Sequence, residues 1–199
     1  MKNQNCLGFH FKSSSDLLIY KQVKLKKIIM RYNFGIRLTH KIIALFVILQ
    51  LIVGLLFDAL FSHFYPGFFM TLHKSMGLSL LFLIILLMLL RLVGKKIPYP
   101  KDMPTIQIIL AKLVHFLLYL CVLGMSLTGF IASELFHSKW QFFYLFDVPA
   151  FLPANPALGK YIFSFHGLIA PVLLTLVILH IAAAIYHRSR KDTIMKKMF

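Results

Sequence analysis

Four long apolar runs, separated by short polar stretches, set the pattern of this chain. They cover about residues 40–61, 71–92, 108–132 and 163–186. Each is long enough to cross a hydrocarbon core of about 30 Å as a helix. The fourth, from Phe163 to Tyr186, contains no Asp, Glu, Lys or Arg, and its charge-bearing groups are His166 and His180. These two are 14 residues apart. At about 100° and 1.5 Å per residue they fall within about 40° of one another and roughly 21 Å apart along the axis. An imidazole in hydrocarbon is costly unless it is bonded or ligating. One such histidine reads as a hydrogen-bonded core residue, whereas two on one stripe favour ligation.

The pattern predicts an all-α fold, an integral membrane four-helix bundle of one domain, residues 31–199. Residues 1–30 are polar and basic and lack the apolar core of a signal peptide. They read as a weakly ordered cytoplasmic tail, and Met1 and Met30 are both candidate starts. Composition agrees, with 59% hydrophobic residues and a mean hydropathy of +0.80. Cys6 and Cys121 lie in the tail and in an apolar run, and no Cys-x-x-Cys-His occurs, which excludes covalent c-type haem attachment.

The net charge of +16 suggests nucleic acid until it is located. Nineteen Lys/Arg fall in three stretches: up to Lys41, from Arg91 to Lys112, and after His187. Only Lys74, Lys139 and Lys160 lie on the other side. This is the positive-inside bias of a four-span protein, and it predicts both termini in the cytoplasm with no role for nucleic acid.

Orientation fixes depth. His40 begins the first span on the cytoplasmic side, and His180 lies near the cytoplasmic end of the fourth. His73 begins the second span on the far side, where His166 begins the fourth. Pairing at matched depth therefore joins His40 with His180 and His73 with His166, the arrangement that two bis-histidine b-type haems require. Zinc prefers four ligands at one point, and these four split into two levels. A di-iron site needs carboxylates, and Asp58 and Glu134 fall at the ends of the spans. His115 lies near the depth of His40 and His180. It is a candidate to bond a haem propionate, to serve a quinone proton, or to pair with a neighbour. Arg37, Lys41, Lys74 and Arg91 are candidate propionate partners, with His187 at the cytoplasmic interface. Gly54, 14 residues beyond His40, gives room either for a planar cofactor or for ordinary helix packing. His63 falls in a turn and reads as incidental. The aromatic stretch 134–161, with Trp140, reads as an interfacial cap.

The motifs R-L-T-H at 37–40, L-H-K-S-M-G at 72–77 and H-F-L-L-Y at 115–119 resemble the bacterial cytochrome b561 family. So do L-T-G-F at 127–130, F-H-G-L at 165–168 and H-I-A-A-A-I-Y-H-R-S-R-K-D at 180–192. This chain has Lys41 and Phe165 where that family often has tryptophan. The resemblance implies two haem b groups held by His40, His73, His166 and His180. It also implies electron transfer in the bacterial inner membrane, among lipid, with quinone as partner and superoxide as one donor class. A redox partner protein is the other expectation: the chain would then be a haem-bearing membrane anchor without a substrate site of its own, its aromatic loop a docking surface. A haem or metal transporter that uses histidines as a pathway is the third reading.

Overall fold

Asparagine caps and prolines mark where the helices begin. The computed structural model describes residues 13–15, 18, 32–99 and 103–190. Helix α1, Phe34–Leu56, opens where the Asn33 side chain accepts a hydrogen bond from the Gly35 N–H. It runs on through a π-helical segment, Phe57–Phe61. Helix α2, Pro66–Val93, has proline in its first turn, behind Tyr65 in the left-handed region at φ 50°. It stops at Gly94, where an added Cβ would lie 2.7 Å from the Leu90 carbonyl oxygen, so only glycine fits. Helix α3 spans Thr105–Leu135. Helix α4, Pro156–Ser189, begins at Asn155, whose side chain accepts from the Leu158 N–H at 3.1 Å, and carries Pro171 internally. The four membrane-crossing helices hold 28, 28, 31 and 34 residues, counting the π segment with α1. At 1.5 Å per residue each is about 40–50 Å long, so the ends project beyond the hydrocarbon.

The helices therefore start five to seven residues before the expected spans at 40, 71 and 163, and three before 108. The apolar run marks what lies in lipid, whereas the helix continues to its cap. Lys160, expected in the loop, sits within the first turns of α4. Most of the expected tail, residues 1–30, and the Lys191–Asp192 end of the last motif lie outside the described residues.

Helix α1 packs on α2, α2 on α3, and α3 on α4, while α1 and α4 do not pack closely on each other. The core is one stripe from each helix: Ile36, Ile43, Val47 and Leu51; Leu80, Ile84 and Leu87; Cys121 and Val122; Leu173 and Leu176. Large side chains such as Phe82, Leu168 and Ile185 stay exposed on the outside, as lipid-facing residues do.

A short antiparallel hairpin follows α3, β1 Gln141–Phe142 with β2 Phe146–Asp147. Phe143 and Tyr144 at its tip have φ of 47° and 62°. Bulky residues rarely adopt this conformation, and Ser75 holds it in place. The Ser75 hydroxyl donates to the Thr71 carbonyl at 2.8 Å and accepts from the Phe143 N–H at 2.9 Å. Trp140, expected in an interfacial cap, is buried and lines the cavity at the hairpin end of the bundle. Exposed members of that cap include Tyr144, Leu145, Phe146 and Phe151.

Candidate functional site

The up-and-down course of the four helices brings in-span histidines together at two levels. At the end of the bundle nearer the hairpin, His73 of α2 faces His166 of α4, with ring centres 6.1 Å apart and ring planes at 72°. At the other end, where α1 starts and α4 finishes, His40 faces His180 at 6.3 Å and 63°. Two metal–nitrogen bonds of about 2 Å each, plus the ring radii, put imidazole centres roughly 6 Å apart when one metal lies between them. Both pairs have that separation.

The hairpin-end level is built for close approach. An added Cβ on Gly129 of α3 would stand 3.0 Å from His166 Cε1, so the glycine admits the ring. His166 Nδ1–H donates to the Met125 carbonyl at 3.0 Å, which leaves its Nε2 lone pair to ligate. Phe163 stacks nearly parallel to the ring, with centres 5.6 Å apart. Gly54, a cofactor-room candidate by sequence, backs directly onto His73, whose Cε1 would lie 3.5 Å from a Cβ there. An apolar cavity of about 320 Å³ lies beside the pair, walled by Val47, Gly77, Leu80, Gly129 and Leu173 with both histidines. His73 Nδ1, Gln50 Oε1 and Ser133 Oγ are buried around it without bonding partners. Lys74 reaches its rim, donating to Ser138 Oγ at 2.6 Å, with its ammonium 6.0 Å from the Trp140 ring centre.

The other level holds a third imidazole. His115 of α3 meets His180 edge-on at 5.1 Å. Its Nδ1 is bonded to the Ala111 carbonyl, which leaves its Nε2 free to accept or pass a proton. The Arg91 guanidinium lies 4.3 Å over the Tyr32 ring and within electrostatic reach of His40 and His115. Outside the membrane, burial pushes the Tyr99 phenol up from its ordinary value, the nearby Tyr32 adds to this, and Arg91 opposes it. Arg37 lies one turn before His40 on α1, and His187 two turns after His180 on α4, beside Tyr186. His63 is exposed in the turn before α2.

Glu134, placed by sequence at the edge of its span, lies in the last turn of α3 and is buried. Its Oε2 accepts the Phe151 N–H at 2.7 Å and thereby ties the long loop to the bundle. Among the described residues, no group of three or more His, Cys, Asp or Glu is arranged to hold a single metal ion. The donor set is two separate imidazole pairs, beside apolar walls thinned by glycine, and this set fits haem.

The family model of prokaryotic cytochrome b561 matches residues 31–199. The chain belongs to the prokaryotic cytochrome b561 family. As a b561-family member it is a haem-binding, multi-pass membrane protein of electron transfer. No curated protein matches the chain. Several residues of this b561 site carry little signal in sequence. Gln50 is visible as an amide inside an apolar run, and Gly129 and Ser75 are visible only as letters of L-T-G-F and L-H-K-S-M-G.

Proposed function

We propose that the chain holds two haem b groups and passes electrons between a donor on the non-cytoplasmic side and quinone in the bacterial inner membrane. His40 and His180 would hold one group and His73 and His166 the other. The observation that carries this reading is the pair of imidazole contacts at 6.3 and 6.1 Å, on two levels of one bundle. Haem b supplies reversible one-electron chemistry at a potential set by its ligands and surroundings. The protein's part is ligation, spacing and charge. The 14 residues from His166 to His180 separate the levels by about 21 Å along α4. Nineteen of the 22 Lys/Arg fall on the side of the termini, which supports a cytoplasmic position for both termini and for the His40/His180 level.

At that level His115, with its bonded Nδ1 and free Nε2, is suited to hand a proton to a reduced quinone. Arg91 and Arg37 supply positive charge for carboxylates of the cofactor, and His187 is a further hydrogen-bond partner for them. At the far level Lys74 supplies the positive charge, which also suits a small anionic reductant such as superoxide.

Mixing the purified, reduced protein with a soluble quinone analogue tests this reading, with reoxidation followed at the b-haem bands. The proposal expects reoxidation by the protein alone. Reoxidation only after a partner is added would favour the second reading, a haem-bearing anchor for another oxidoreductase. One feature supports that second reading: Leu145 and Phe151 are 76% and 71% exposed at the hairpin end.

A further inference from the structure

Gln50 lies in the apolar middle of α1, where a carboxamide is costly unless both its ends are bonded. Its Nε2 donates to the backbone carbonyl of His73 at 2.7 Å. Its Oε1 is buried with no partner. On the residue it already grips, His73 Nδ1 is likewise buried with no partner. Both side chains line the hairpin-end cavity. Gly77, one turn beyond His73, makes room for the amide, because a Cβ there would stand 3.2 Å from Gln50 Nε2. One acceptor and one nitrogen able to carry a proton are therefore orphaned on two residues that a hydrogen bond already joins.

We propose that Gln50 is the positioning residue of His73, its amide gripping the main chain through Nε2–H and the imidazole through Oε1, which accepts the Nδ1–H. This rests on reading His73 as an axial ligand. A ring that ligates through Nε2 carries its proton on Nδ1, and that proton needs an acceptor. His166 answers the need with the Met125 carbonyl at 3.0 Å, a fixed backbone group. For His73 the Gln50 side chain would take that place, so the two imidazoles of one pair would have unlike partners. An acceptor on Nδ1–H makes the imidazole a stronger donor to the metal and favours the oxidised form. Gln50 therefore holds down the potential of the hairpin-end site and leaves the other level alone.

The test uses the full-length, haem-loaded protein purified from membranes, as wild type, Gln50→Met, Gln50→Asn and Gln50→Glu. Methionine fills the volume with neither donor nor acceptor, and asparagine is one methylene too short to keep both bonds. A protonated glutamic acid keeps both functions. Potentiometric titration of the b-haem bands and the low-spin electron-spin-resonance g values are the readouts. Gln50→Met and Gln50→Asn are each expected to raise the midpoint of one haem component and shift its g values. That component should be the one lost in His166→Ala, and Gln50→Glu should return it to the wild-type midpoint or below. If whichever of the two variants accumulates leaves both midpoints and g values as in wild type, Gln50 only packs and the inference is overturned. Equal shifts in both components also overturn it. Failure of the ligand reading is distinct: His73→Ala would then keep both components at full intensity, whatever Gln50 does.

Discussion

Gly129 and His166 are in contact across α3 and α4, with 3.0 Å between the ring and the place where a Cβ would sit. No side chain fits there without moving the imidazole. The contact makes Gly129 a condition for the geometry of the hairpin-end pair, although it offers no donor atom. Gly129→Val is expected to lose or convert to high spin one of the two haem components, with the other retained. A haem count with a visible spectrum on the purified variant checks this. Gly129→Ala should do the same more weakly, since one methyl group can be met by a small shift of the ring.

His115 touches His180 at 5.1 Å but bonds the Ala111 carbonyl through Nδ1. It stands beside the His40/His180 pair as an additional imidazole. His115→Phe is therefore expected to keep the full haem content while slowing reoxidation by quinone at least tenfold. Stopped-flow absorbance on the prereduced variant measures it. Loss of one haem in this variant would make His115 a ligand in place of one of the pair.

Arg91 brings a positive charge to the same level, its guanidinium stacked on Tyr32. A unit charge at roughly 10 Å in a medium of effective dielectric about 20 is worth about 1–2 kcal/mol, or tens of millivolts for one electron. Arg91→Gln should lower the midpoint of the haem component lost in His180→Ala by that amount, and Arg91→Lys should largely restore it. Redox titration of the two variants separates charge from packing.

Ser75 is fully buried and holds the left-handed tip of the hairpin through Phe143. Ser75→Ala removes that acceptor and is expected to cost about 1–3 kcal/mol. The loss should show as faster hydrogen exchange or proteolysis confined to residues 141–151, with the His40/His180 level undisturbed.

The sequence made the helices and the histidine levels legible for a simple reason. Lipid demands long apolar runs, and five imidazoles inside such runs stand out, four of which pair by depth once the charge bias fixes the orientation. Residues that act through geometry were harder to find. The starts of α1, α2 and α4 depend on Asn33, Pro66 and Asn155, which lie outside the apolar runs that mark the membrane. The hairpin was hidden because Phe143 and Tyr144 take positive φ where glycine or asparagine is the usual turn signal. Trp140 reads as an interfacial aromatic by type, and its burial beside the cavity carries no signal in sequence. Gly129 reads as a small packing residue until the His166 ring is seen against it.

The central claim is that His40 with His180, and His73 with His166, hold two separate haems. The most direct measurement is haem stoichiometry with a reduced-minus-oxidised spectrum on wild type, His166→Ala and His180→Ala. The account predicts two low-spin b haems per chain, with a different one lost or disturbed in each variant. A single haem indifferent to both substitutions, or no haem at all, would contradict it.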